Sequence, residues 1–261
     1  IGASACALEH PIGCAAGSQS ADAIVIGSQA YNSNEILAEI YAQALQGAGL
    51  EVRCQLQIGQ RDAYLPQLEA GELDLFPEYT GNLLEYYSPD TAATQADEVY
   101  DELVNALPDG LVALAMSPAT DQDSYNVTAE FAAENGLVSI ADLADIEGLV
   151  LGGAPELEER PYGPRGLLDT YGVSVSFDAT GPATVQALLD GLITVANVYT
   201  GNPDIAEYGL ITLTDPEGLF LASNVVPIAS EDIADDIAAI IDPDSLALTP
   251  EGLVALNLRN T

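Results

Sequence analysis

Lysine and tryptophan are both missing from this 261-residue chain, and histidine occurs once, as His10. The cations are five arginines, Arg53, Arg61, Arg160, Arg165 and Arg259, set against 41 aspartates and glutamates, for a formal net charge of -36. A nucleic-acid binder needs a basic footprint to displace phosphate counterions, so this polyanion is excluded as one. Attraction to an anionic membrane surface fails for the same reason. With its one histidine in the N-terminal tail, the folded body cannot hold a Ser-His-Asp or Cys-His arrangement. There is no Gly-rich phosphate loop and no cysteine or histidine spacing of the zinc type. No apolar run approaches the roughly 18–20 residues of a membrane-spanning helix. Carboxylate pairs abound, but chance pairings are expected among so many acids, so they do not mark a catalytic site. The chain is expected not to be an enzyme and to need no cofactor or metal.

What the chain does have is apolar mass. Hydrophobic residues make up 48% of it, enough to bury a sizeable core, with the acids read as a solvated surface. Three cysteines, Cys6, Cys14 and Cys54, form an odd set. The first two lie in a stretch rich in Ala, Gly and Ser, residues 1–22, read as a flexible leader. Ala3-Ser4-Ala5-Cys6 and Pro11-Ile12-Gly13-Cys14 each resemble the cleavage and acylation site of a bacterial lipoprotein. Neither has a leucine three residues ahead, and no charged or apolar signal region is present. Lipid attachment at Cys6 or Cys14, an ordinary leader, and a disulfide between the two all stay open.

From Ala23 onward the pattern alternates between strand and helix. Ile24–Ile26 reads as a strand, and Asn32 with Glu35 as a capping box opening a helix whose apolar residues run from Ile36 to Leu45. Strands are expected over Leu50–Ile58 and Leu73–Phe76, with a helix over Tyr64–Ala70 between them. This β-α-β-α-β order implies a parallel sheet covered by helices. Helices Asn82–Tyr87 and Ala96–Ala106 and strand Leu111–Met116 follow, leading into the polar stretch Ser117–Ser124. A second α/β unit is expected from helices Thr128–Asn135 and Ile140–Ala144, strands Leu149–Gly152 and Val173–Phe177, helix Thr184–Asp190 and strand Ile193–Tyr199. Strand Leu210–Thr214 and helices Glu231–Ile241 and Pro250–Leu258 close the chain. Polar crossings near residues 120 and 202 suggest a first lobe over 23–120, a second over 121–202, and a return to the first over 203–261, the layout of a hinged clamp.

Two stretches carry a family resemblance. Ile26-Gly27-Ser28 through Ile36-Leu37-Ala38-Glu39 is similar to the opening of the quaternary-amine-binding proteins of ABC importers. Gly59-Gln60-Arg61-Asp62-Ala63-Tyr64-Leu65, followed by Glu69 through Pro77-Glu78-Tyr79-Thr80-Gly81, resembles that family's most specific segment. Weaker matches are Asp121–Tyr125, Glu156–Arg160, Val198–Thr200 and Asn224–Pro227. The resemblance implies a type II periplasmic-binding-protein-like fold of two α/β lobes with a hinged interlobe cleft. It implies a monomer outside the cytoplasm, in the periplasm or at the cell surface, that traps glycine betaine, choline or a related osmoprotectant and delivers it to an ABC-type membrane permease. A binding protein for another small zwitterion, such as proline or an amino acid, is the alternative.

The chemistry suits such a solute. A trimethylammonium group has no N–H to donate, but it offers a diffuse charge on an apolar surface, which aromatic faces match by cation–π attraction and dispersion. With four phenylalanines and twelve tyrosines, a cage must be largely tyrosine. The resemblance assigns it to Tyr79, Tyr125 and Tyr199, with a backbone carbonyl from Asp123. Tyr31, Tyr64 and Tyr162 are nearby candidates. Arg160 is the expected partner of a betaine carboxylate, because its forked guanidinium can hold both oxygens. The chain departs from the family pattern at several positions. Gln29 replaces a frequent lysine, Asn82 a threonine and Ser223 a fourth cage tyrosine, while Asn34 stands where glutamine is usual. Leu157 and Gly163 occupy the places of a cysteine pair. Gln29, Asn34, Asn82 and Ser223 are retained as ligand-site candidates.

Overall fold

Strand β1 (Ile24–Gly27), helix α1 (Asn32–Gly47), strand β2 (Val52–Gln55), helix α2 (Arg61–Glu69) and strand β3 (Leu75–Tyr79) follow one another in the order expected. The structure is a computed structural model that describes residues 13–14, 17–18 and 20–259. β1 pairs in parallel with β2, in register from Ile24↔Val52 to Gly27↔Gln55, and with β3 at Ile26↔Leu75. Helix α1 turns Ala38, Tyr41, Ala42 and Leu45 onto this sheet, the spacing of one helical face. Its start differs from expectation. The N-cap is Tyr31, which makes no side-chain capping bond, so the Asn32–Glu35 capping box is not formed.

Two later strands complete the first sheet, β4 (Leu111–Ala113) and β10 (Val225–Ser230), in the order β2-β1-β3-β10-β4. β4 runs antiparallel to β10. Helix α9 (Glu231–Ala247) adds Ala234, Ile237 and Ile241 to the same core. It extends past the expected end at Ile241 and through Pro243, while Asp242 Oδ1 accepts from Ala115 N at 3.0 Å and Ser245 Oγ donates to Ala115 O at 2.6 Å.

The second sheet has the order β7-β6-β8-β5-β9, from β5 (Asp123–Val127), β6 (Leu149–Gly153), β7 (Val175–Ala179), β8 (Val195–Tyr199) and β9 (Ile211–Thr212). β6 is parallel to β7 and β8, whereas β5 is antiparallel to β8 and β9. Side chains alternate between its two faces: Leu149, Leu151 and Val195 enter one core with Tyr125, Leu167 and Phe220, while Ala196 and Val198 enter the other with Ala187, Leu188 and Ile193. β5 was not expected, because Asp-Ser-Tyr-Asn-Val carries three polar residues. It is buried at every position, and its polar groups are satisfied within the sheet: Ser124 Oγ donates to Val198 O at 2.6 Å and Asn126 Oδ1 accepts from Thr212 Oγ1 at 2.5 Å. β9 also lies in this sheet, beyond residue 202, where the sequence reading ended the second lobe.

The chain forms two compact units. The first comprises the described residues up to Glu78, with Pro108–Met116 and Val226–Ala247; the second comprises Tyr79–Leu107, Ser117–Val225 and the described residues from Leu248 onward. The second unit thus takes helices α3 (Thr80–Tyr87), α4 (Ala96–Ala106) and α10 (Pro250–Arg259) as well as the second sheet.

The expected leader is corrected over its described part. Cys14 is disulfide-bonded to Cys54 on β2, so the alternatives of a Cys6–Cys14 bridge and of acylation at Cys14 are overturned; Cys6 lies outside the described residues. Cys14 N donates to Glu39 Oε2 at 2.8 Å and Ser18 N to Val52 O at 2.7 Å, which pins this segment along α1 and β2.

Candidate functional site

The polar crossings marked in the sequence meet inside the second unit. Thr200 N donates to Gln122 O at 2.9 Å, and the Thr120 and Thr200 hydroxyls lie 3.2 Å apart. Alongside them, Thr80 N donates to Asn224 O at 2.9 Å and Asn224 N to Thr80 Oγ1 at 3.0 Å, so the start of α3 is stitched to the segment entering β10. The approach is tight enough to require glycine: a Cβ on Gly81 would lie 2.7 Å from the backbone oxygen of Ala222.

Beside this seam the second unit holds a cavity of about 150 Å³. Pockets for drug-sized ligands run roughly 300–1,000 Å³, so this one suits a small solute. Its polar wall includes Asn82, Glu85, Gln122, Asp123 and Ser223, its aromatic wall Tyr162 and Phe220, and among the described residues no arginine lines it. Ser223 Oγ donates to Asn82 Oδ1 at 2.9 Å, and Ser223 N donates to Gln122 Oε1 at 2.9 Å. The two departures at Asn82 and Ser223 are therefore direct neighbours, a hydrogen-bonded pair where the family pattern has threonine and tyrosine.

The rings are organised around Phe220. Its centroid lies 5.0 Å from that of Tyr125, edge to face, and 5.5 Å from that of Tyr162, tilted. Tyr125 is fully buried beneath this surface and its hydroxyl donates to Tyr162 O. Burial is the main cause that pushes the Tyr125 and Tyr162 phenols far up, and the Asp123 charge adds to it; both remain neutral donors. Tyr199 faces Asp123 across the β5–β8 pair, 53% exposed, with its phenol pushed up to about 12 by burial and then by Asp123.

Asp123 is the electrostatic centre. Burial raises its carboxyl above the usual range, while Asn197, Tyr162 and then Arg160 pull the other way, and Glu85 adds to the rise. Arg160 is exposed, at the end of the turn 155–159, with Gly163 N donating to its carbonyl at 2.9 Å. The turn is closed so tightly that a Cβ on Gly163 would lie 2.0 Å from Leu157 O.

Asn82, Asp123 and Ser223 thus line one cavity, with Tyr125 beneath it and Arg160 and Tyr199 within electrostatic reach of Asp123. Tyr79 ends β3 and caps α3, 2% exposed. Gln29 and Asn34 belong to the first unit, where Gln29 N donates to Asn34 Oδ1 at 2.8 Å and Asn34 Nδ2 donates to Pro77 O at 2.8 Å. Tyr64 is also in that unit, and its hydroxyl donates to Glu78. Sequence reasoning missed Phe220, Glu85 and Gln122. Gln122 lay within a quoted motif, but Phe220 stands in the loop before β10 with no periodicity to mark it.

The family described as the substrate binding domain of ABC-type glycine betaine transport system matches residues 22–261. It is a family of binding domains rather than of enzymes. The glycine betaine-binding protein YehZ of Escherichia coli is 26% identical over 259 residues, spanning 92% of this chain and 85% of that protein. A glycine-betaine-binding protein of Pseudomonas aeruginosa is 25% identical over 269 residues, spanning 94% and 84%. Among solved structures, apo YehZ from Escherichia coli matches with a TM-score of 0.76 at 24% identity over 92% of each chain. A glycine betaine/carnitine/choline ABC transporter structure matches with a TM-score of 0.83 at 16% identity over 90% of this chain and 91% of that one. These likenesses establish the periplasmic-binding-protein-like fold, two α/β units each built on a mixed sheet. With the family match running from residue 22 to residue 261, this chain belongs to the substrate-binding domains of ABC-type glycine betaine transport systems.

Proposed function

We propose that this chain captures a small methylated ammonium solute, glycine betaine or choline, outside the cytoplasm and hands it to an ABC permease. The observation that carries the reading is the second-unit cavity, where the rings of Tyr162 and Phe220 meet the carboxylates of Glu85 and Asp123 with no cationic side chain among the described lining residues. The carboxylates attract a cation, and the ring faces suit one whose charge is spread over methyl groups. Each ring contributes on the order of 0.5–2 kcal/mol once water is excluded. Tyr125, Tyr199 and Tyr79 are assigned as further walls of the cage, and Arg160 as the group that meets a betaine carboxylate. The names of the relatives in Escherichia coli and Pseudomonas aeruginosa support glycine betaine as the first ligand to try. An oxidising compartment outside the cytoplasm agrees with the Cys14–Cys54 disulfide. Calorimetric titration with glycine betaine, choline, proline and free amino acids tests the proposal. Saturable binding of a methylated ammonium is expected; binding confined to ligands with a primary or secondary amine would reject it.

A further inference from the structure

Phe220 packs against the Tyr162 ring of the cavity and the Tyr125 ring beneath it, yet it stands in the loop 213–224, between β9 and β10, which has no helix or strand of its own. What fixes it is one carboxylate. Asp215 Oδ2 accepts from the backbone N of Phe220 at 2.8 Å, and Asp215 Oδ1 accepts from the backbone N of Leu219 at 2.9 Å. The Tyr171 hydroxyl, at the end of helix α6 (Pro164–Tyr171), donates to Asp215 Oδ1 and accepts from Glu217 N at 2.8 Å. A single acidic side chain thereby gathers three donors, and the hydroxyl that steadies it also holds the loop at Glu217. Past Phe220 the loop is tied again, where Ala222 N donates to Thr94 O at 3.1 Å.

We infer that the Asp215–Tyr171 clasp is a positioning device that sets the Phe220 ring against Tyr125 and Tyr162 and so tunes the affinity of the cavity; this rests on the cavity being the solute site. Neither Asp215 nor Tyr171 is among the residues lining the cavity, so the clasp acts through the lining residues it holds, Leu219 and Phe220, of which Phe220 carries the ring. A carboxylate suits the task because each of its oxygens can accept, whereas an asparagine would turn one oxygen into a donor facing a backbone N–H.

The test is a double-mutant cycle on the full chain, with glycine betaine and choline as calorimetric probes and circular dichroism to confirm folding. Asp215→Asn is expected to weaken binding about tenfold, the scale of one aromatic contact with a cation, and Tyr171→Phe by about threefold. In a Phe220→Ala background each loss should shrink below about twofold, because the ring being positioned is gone. Amide hydrogen exchange at Leu219 and Phe220 should quicken in both clasp variants. Equal losses with and without the Phe220 ring would make the clasp merely structural, and unchanged affinity or unchanged exchange would refute it outright. Should Asp215→Asn fail to fold, Tyr171→Phe carries the same cycle. If Phe220→Ala leaves binding of both probes untouched, or the unaltered protein binds neither, the cavity is not the solute site and the inference falls with it.

Discussion

Within the segment that resembles the family most specifically, Arg61 and Glu78 form a buried ion pair in the first unit, and breaking it should be costly. Arg61 at the start of α2 reaches Glu78 on β3 with both prongs, Nε to Oε1 at 3.0 Å and Nη2 to Oε2 at 2.8 Å, and the Tyr64 hydroxyl donates to the same Oε1. The Glu78 side chain is fully buried and that of Arg61 21% exposed. Burial alone would lower the Arg61 guanidinium, but Glu78 beside it more than offsets this and holds it well above its ordinary value. Replacing Arg61 by methionine leaves the buried Glu78 charge without the guanidinium that balances it. Such half-pairs destabilise proteins by about 3–5 kcal/mol, whereas removing both charges is far milder. Urea unfolding of Arg61→Met, Glu78→Gln and the double variant measures this; with no tryptophan in the chain, tyrosine fluorescence and far-UV circular dichroism are the signals. The Arg61→Met variant should lose about 3–5 kcal/mol and the double variant should regain at least half of it. A single-variant cost below about 1 kcal/mol, or a double variant no better than Arg61→Met, would refute the argument.

Three further outcomes are expected. Because burial raises Asp123, the fold favours its protonated form; that stabilisation is full below the ordinary carboxylate range and is lost as pH rises through the raised value. Asp123→Asn should therefore stabilise the ligand-free protein near neutral pH in thermal melts. In the same window a cationic ligand should bind more tightly as pH rises and Asp123 ionises, and calorimetry across the acidic range should find that trend flattened in Asp123→Asn. Cys54→Ser opens a bridge between residues separated by 40 in the chain, and the chain-entropy relation puts the cost at about 4 kcal/mol, to be read from urea midpoints of the oxidised protein and the variant. Gly81→Ala forces a methyl against the Ala222 carbonyl 2.7 Å away, so it should destabilise the second unit by about 1–3 kcal/mol and weaken solute binding together, checked by melting and titration of the same sample.

Elements with a strong repeat were legible. The apolar spacing of α1 and the alternation of strand and helix through β3 gave the parallel start of the first sheet, and Ala96–Ala106 is a helix with the limits expected of it. Elements whose stability comes from neighbours were not. β5 is polar in sequence and a strand only because β8 and β9 flank it and Ser124 and Asn126 find partners inside the sheet. Helix α6 is short and opens on Gly163-Pro164, which reads as a turn until Leu167 is packed into the core. Among the site residues, Asp123 and Asn82 could be named from motif context, while Glu85 lies one helical turn after Asn82 and carried no signal among so many acids.

Motif order and hydrophobic periodicity were enough to give the family and the α/β class, because both are properties of the chain. The folded arrangement was needed to show that Cys14 pairs with Cys54, that Asn82 and Ser223 form one hydrogen-bonded pair, and that Phe220 packs against both Tyr125 and Tyr162. Each of these is a contact between residues distant in the chain, and its geometry exists only once the strands and loops that carry them have been brought side by side.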